Sequence, residues 1–189
     1  MLLFFSENNM DSTFRPVINF ISHIIVVIIL AWFIVYGYGN GLVNVGQSME
    51  PTINAEETVL IDRVRYRFSR PSRYDIICFR LREPETVYEN EISIKRIVGL
   101  PGETVQIVDG DIYINNQKLE PDMDLPETAL PGIASDPVLL GENEYFVLGD
   151  NRPASEDSRY EKIGNIPLQD ITGRVWLRIR PISEIGFIR

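Results

Sequence analysis

Two segments of this 189-residue chain hold residue types that could do chemistry, and a third could support them. Ser48 lies in Val45-Gly46-Gln47-Ser48-Met49-Glu50-Pro51-Thr52, where a glycine lets backbone approach a substrate closely and a proline fixes the following turn. Lys95 lies amid Ile92, Ile94, Ile97 and Val98 in a run from Glu91 to Glu103. Burial in such a strand disfavours the ammonium, and a neutral amine is a general base. The third segment, Leu148 to Tyr160, is dense in turn formers, carboxylates and guanidiniums. Each also has a plainer reading: a turn serine capping an amide, a lysine whose head reaches water, a loop tied by its own ion pairs.

What the chain lacks narrows the choice. Its one histidine, His23, falls in an uncharged apolar stretch, so no Ser-His-Asp or Cys-His site can be assembled beyond that stretch. Its one cysteine, Cys78, allows neither an intrachain disulfide nor a cysteine-based zinc site and sits mid-strand in I-I-C-F-R as a small apolar residue. The acids are scattered without a distinctive pair. A net charge of −9 argues against a nucleic-acid partner, because phosphate binding requires a basic footprint. What is left is a hydroxyl nucleophile activated by something other than imidazole.

The elements that must position these groups are of two kinds. No charged residue occurs between Arg15 and Glu50, and Val17–Tyr36 is apolar nearly throughout. Crossing a hydrocarbon core of ~30 Å takes roughly 20 such residues, and Trp32, Tyr36 and Tyr38 suit an interfacial belt at the far end. A cleavable leader fits less well, since positive charge before the core is scant and no clean A-x-A site follows. After about residue 40 the chain is acidic and shows short β-branched and aromatic runs: Thr58–Ile61, Asp75–Phe79, Ile92–Val98, Thr104–Val108, Ile112–Ile114, Tyr145–Leu148 and Arg174–Ile179. Asp109-Gly110 marks a two-residue hairpin turn. Val175, Leu177 and Ile179 alternate with Trp176, Arg178 and Arg180, predicting one core face. The proline-rich, acidic stretch from Glu120 to Glu142 reads as an irregular excursion. The expected fold is mainly β: antiparallel sheets or a small barrel-like domain behind one transmembrane helix.

Taken in order, G-x-S-M-x-P-T after an anchor, K-R-I-V-G-L-P-G-E, and G-D-N-R-x-x-S-x-D-S-R resemble the type I signal peptidases, serine/lysine proteases that remove signal peptides. Arg73-Tyr74-Asp75-Ile76-Ile77-Cys78-Phe79 is similar to that family's R-G-D-I-V-x-F strand, and the resemblance runs from the anchor to Arg180. It implies Ser48 as nucleophile, Lys95 as general base and Ser155 as the residue that hydrogen-bonds and orients the lysine amine. It further implies that Leu42, Asn44, Gly46, Met49, Ile53, Cys78 and Ile94 line substrate pockets. Arg96, Asp150, Asn151, Arg152, Asp157 and Arg159 would form a supporting shell. The Ser48 backbone N–H would be the first oxyanion donor; the position where some members carry a second, hydroxyl donor is Gly46 here, as in the Gram-positive type.

No cofactor or metal is implied. The implied partners are preproteins with Ala-x-Ala-like sites, the bilayer, and proximity to the secretion translocon, with no nucleic acid. The implied organisation is a short cytoplasmic segment (1–16), an anchor (17–38) and an extracytoplasmic protease domain (40–189) carrying a small hairpin and loop at about 103–144. The location would be the plasma or thylakoid membrane, spanned once. One departure stands out: Glu161 and Lys162 occupy places where the family usually has an aromatic residue and a glycine. Two other readings remain, a different serine/lysine processing protease and a catalytically silent membrane-tethered binding protein. The span and the acidic domain weigh against the soluble, DNA-binding self-cleaving repressors.

Overall fold

The computed structural model describes residues 11–81, 92–120 and 125–188. Most of the expected cytoplasmic segment and four residues of the expected irregular excursion lie outside the described residues. Helix α1 (Asp11–Tyr38) contains a stretch, Arg15–Gly37, long and apolar enough to cross a membrane, and none of its most apolar window is buried against the rest of the chain. Trp32 and Tyr36 stack one turn apart near its end, at 5.3 Å between ring centroids.

Among the described residues twelve strands follow, and every pairing among them is antiparallel: β1 (Asn40–Val43), β2 (Thr58–Asp62), β3 (Ile76–Arg80), β4 (Ile92–Gly99), β5 (Thr104–Val108), β6 (Asp111–Ile114), β7 (Gln117–Lys118), β8 (Val138–Leu139), β9 (Glu144–Leu148), β10 (Ile166–Pro167), β11 (Ile171–Arg180) and β12 (Gly186–Phe187). The larger sheet runs β1-β2-β11-β3-β4-β9-β10, with β12 added to β11; a smaller one runs β7-β6-β5-β8.

Period-two side-chain placement builds the core. Along β3, Ile76 and Cys78 join one apolar cluster while Ile77 and Phe79 join another, so I-I-C-F is buried on both faces. The first cluster also gathers Val59, Ile61, Val175 and, from the loop between β1 and β2, Met49 and Ile53. A third, formed by Val98, Val105, Ile107, Ile114, Leu140, Phe146 and Leu148, joins the smaller sheet to the larger. Asp109 and Gly110 turn the β5–β6 hairpin with φ of 51° and 86°, the pair of positive angles that a two-residue type I′ turn requires.

Two expectations need correction. The inserted region is not just a hairpin and loop, because β7 and β8 extend it to four strands. In β11, irregular register against β2 after Val175 and after Arg178 breaks the alternation, so Val175 is buried whereas Leu177 and Ile179 are only half-buried.

Candidate active site

The loop between β1 and β2 is held closed at its base by Asn44. The Asn44 backbone N–H donates to Glu57 O (2.8 Å), and its carbonyl accepts from Glu56 N (2.9 Å). Its side-chain Nδ2 donates to the Gly46 and Asn54 carbonyls at 3.1 and 3.0 Å. Met49 and Ile53, fully buried, pin the loop to the first apolar cluster. Asn151 fastens the tip: its backbone N–H donates to Ser48 O and its Nδ2 to Gln47 O, both at 3.1 Å. Ser48 is thereby presented at a fixed position and stays half-buried.

Lys95 comes from β4. Strand β9 pairs with β4 only from Arg96 onward, so Ile92–Lys95 have β3 on one side and no strand on the other among the described residues. Ser48, from the loop between β1 and β2, reaches the Lys95 side chain. Lys95 Nζ lies 2.9 Å from Ser48 Oγ and 3.2 Å from Ser93 Oγ, and the lysine is 5% exposed. Burial pulls its pKa down from the ordinary value near 10.5 to about 8, against a weaker upward pull from Asp157 and Glu156. A hydroxyl in contact with an amine that is easily deprotonated is the arrangement needed for a lysine to take a serine proton.

Ser155 is placed differently from the expectation. Its hydroxyl is buried but has no hydrogen-bond partner among the described residues, and the second contact of the lysine amine is Ser93 instead. The reason is geometric. Ser93 is two residues before Lys95 and so projects on the same strand face, while Ser155 Oγ is held over Gly149. A Cβ built on Gly149 would lie 2.2 Å from Ser155 Oγ and 2.4 Å from the Ser48 carbonyl oxygen. Ser93 belongs to none of the motif positions; its i, i+2 spacing from Lys95 is the one sequence signal that points to it.

Two carboxylates of the third segment, Asp150 and Asp157, sit in buried ion pairs, one with Arg96 of β4 and one with Arg159. Arg96 holds Asp150 through both carboxylate oxygens (Nε–Oδ1 2.8 Å, Nη2–Oδ2 2.7 Å), and Thr52 Oγ1 donates to Asp150 Oδ2 at 2.5 Å. This ties β4 to the Ser48 loop, a part for Thr52 that its place in the motif did not disclose. Arg159 likewise grips Asp157 (2.8 and 2.9 Å), which also accepts from Gly149 N at 3.0 Å. Arg159 Nη2 donates to the Arg152 and Ser155 carbonyls. Arg152 donates to Gly149 O and Thr128 Oγ1. Asp150→Ala removes the buried carboxylate that the Arg96 guanidinium, 2% exposed, holds through two nitrogens. We expect destabilisation of about 3–5 kcal/mol in denaturant unfolding; a loss below 1 kcal/mol would contradict the buried pair.

Of the expected pocket residues, Met49, Ile53, Cys78 and Ile94 belong to one apolar cluster, with Leu42 packed against it. Asn44 instead braces the loop, and Gly46 is exposed in it at a φ of 109°. Cys78 is fully buried and its thiol is pushed up to about 12 by desolvation, so it is unreactive apolar filling. The departure at Glu161 and Lys162 falls on an exposed turn closed by Gly164 N donating to Tyr160 O, with Lys162 paired to Glu156. Asp157 and Arg159 remain buried beneath it.

A serine hydroxyl, a buried lysine amine and a mainly antiparallel β scaffold behind an apolar helix define a protein of the serine-hydrolase class. The match to known families agrees: the family model described as signal peptidase, peptidase S26 covers residues 17–180, and the chain belongs to that family of serine endopeptidases. Over 142 residues it is 33% identical to Probable signal peptidase I-2 of Synechocystis sp., a match spanning 75% of this chain and 63% of that protein. Over 187 residues it is 32% identical to Signal peptidase I of Bacillus amyloliquefaciens, covering 95% of this chain and 97% of that one. It is also similar to the crystal structure of a signal peptidase I from Enterococcus faecalis V583, with 32% identity and a TM-score of 0.43 over 56% of this chain and 97% of that one.

Proposed function

We propose that this chain is a membrane-anchored endopeptidase that removes signal peptides from exported preproteins through a Ser48–Lys95 dyad. The observation that carries this reading is the 2.9 Å contact between Ser48 Oγ and a lysine amine that burial holds near pKa 8. Neutral Lys95 takes the Ser48 proton as Oγ attacks the scissile carbonyl. The ammonium then returns the proton to the departing amine, leaving an acyl-enzyme. The same nitrogen next activates the water that releases the new carboxylate. The Ser48 backbone N–H stabilises the oxyanion, a donor of a kind worth about 2.7–4 kcal/mol in the transition state.

The substrate binds as an added strand. Support comes from two backbone edges without a strand partner among the described residues, the outer side of β1 and the Ile92–Lys95 half of β4. Small side chains at −1 and −3 pack against the partly buried Leu42, backed by the buried apolar cluster of Met49, Ile53, Cys78 and Ile94. Helix α1 spans the plasma or thylakoid membrane once, with the β domain on the side to which preproteins are exported and the N-terminus in the cytoplasm.

Purified full-length protein in detergent is expected to cut a preprotein carrying Ala at −1 and −3 at that bond, and to fail on the same preprotein with Trp at −1. Equal cutting of both would remove the pocket assignment, and no cutting of either would favour the silent binding protein. External protease should reach the β domain in intact spheroplasts; full protection there would reverse the orientation.

A further inference from the structure

Among the described residues the Lys95 amine has two side-chain hydrogen-bond partners, Ser48 and Ser93, and nothing in the dyad mechanism above uses Ser93. We propose that Ser93 is a positioning residue that aims the Lys95 lone pair at Ser48, an inference that rests on the dyad reading.

The argument starts from the valence of nitrogen. A neutral amine has one lone pair and two N–H bonds. To act as base, the lone pair must face the Ser48 hydroxyl. Rotation about the last bond of the lysine side chain is otherwise free, so an N–H must be held elsewhere. Ser93 Oγ, 3.2 Å from Nζ, is an acceptor placed to hold it. Its hold is rigid for a simple reason: Ser93 and Lys95 flank Ile94 on one strand, and β3 fixes that strand through the pairs Phe79↔Ser93, Cys78↔Ile94 and Ile77↔Lys95. Ser155, the hydroxyl expected in this part, lacks any partner among the described residues. The amine is therefore oriented from its own strand.

Ser93 also bears on when the amine loses its proton. An ammonium donates a stronger hydrogen bond to a hydroxyl than a neutral amine does, so Ser93 favours the protonated form. Among the described residues the charged groups acting on the amine are Asp157 and Glu156, both from the loop after β9 and both raising its pKa. Its cross-strand neighbour on β3 is Ile77, and Arg96, next on its own strand, is turned to Asp150. Removing Ser93 subtracts from the groups that hold the proton, so the acid limb of the activity profile moves to lower pH.

The test is the pH dependence of preprotein cleavage by full-length wild type, Ser93→Ala, Ser93→Thr and Lys95→Ala. Ser93→Ala should lower the plateau kcat about 10-fold with KM little changed. It should also move the acid limb down by about half a pH unit. Ser93→Thr, which keeps the hydroxyl, should restore both. A role confined to folding would lower activity without moving the limb, and circular dichroism melts separate the two. An unmoved limb in Ser93→Ala, or a threonine variant as impaired as the alanine one, overturns the proposal while a dead Lys95→Ala leaves the dyad standing. A Lys95→Ala chain that still cleaves overturns the dyad and, with it, this inference.

Discussion

Lys95→Met is expected to abolish preprotein cleavage, by about 10,000-fold or more, while making the folded protein more stable at neutral pH. The loss follows from removing the amine that contacts Ser48 Oγ and can accept its proton. Ser48→Ala should be equally inactive, and the double variant no worse than either, since the two act as one unit. The gain follows from the same burial that makes the amine a base. Lys95 titrates at about 8 when folded and near 10.5 ordinarily. Below pH 8 both states carry the proton, and the folded state bears the full desolvation penalty. Between about 8 and 10.5 the folded state has released a proton that the unfolded chain keeps, so wild-type stability rises with pH across that window. Methionine fills similar volume without a charge, and removes a penalty on the order of 3 kcal/mol at pH 7. Paired denaturant titrations at pH 7 and pH 10 should show the difference between variant and wild type shrinking at the higher pH. A pH-independent difference would mean that the amine is not desolvated. For the active enzyme the same titration predicts cleavage that rises about tenfold per pH unit below 8 and levels above it.

Gly149→Ala is expected to lower kcat about 100-fold without unfolding the domain. The new methyl would fall 2.2 Å from Ser155 Oγ and 2.4 Å from the Ser48 carbonyl oxygen, and both distances are far inside van der Waals contact. The carbonyl belongs to the backbone of the nucleophile, held in turn by Asn151 N, so relief has to come from displacing Ser48 relative to Lys95. A shift of about 1 Å is enough to spoil a near-attack geometry. A second change, Ser155→Gly, clears the side-chain clash but leaves the carbonyl in place. The double variant should therefore stay impaired, with kcat rather than KM carrying the defect. Wild-type turnover in Gly149→Ala would show that this corner of the site yields without consequence.

Much of this was legible in the sequence, and the gaps have physical causes. The seven strand runs appear within a few residues of their expected places, because β-branched runs bounded by turn residues carry a local signal. Ser48 and Lys95 were readable as candidates from types and motif order, and the Arg159–Asp157 pair from the charge density of one polar loop, whereas Arg96 reaches Asp150 from β4. What was missed depends on non-local geometry. Strand β1, N-G-L-V, has no alternation of its own and exists because β2 pairs with it. The bulges of β11 answer to the register of β2. The proposed part of Ser93 depends on Ser48 reaching Lys95 from a loop 47 residues away in sequence, which no periodicity in β4 announces.

The join between helix and domain carries a final consequence. A single residue, Gly39, separates α1 from β1. The Gly37 carbonyl accepts from Arg63 N at 3.1 Å, and Asn40 Nδ2 caps the helix by donating to Tyr36 O at 2.7 Å. The helix end is thus bolted to the sheet instead of hanging from a flexible tether. On the proposed topology, the exposed edge of β1 stands at a set height above the lipid surface, and the cut is metered like a mark on a ruler. Where a preprotein is severed then depends on how many residues separate its own apolar stretch from the headgroups, as well as on which side chains fill the pockets.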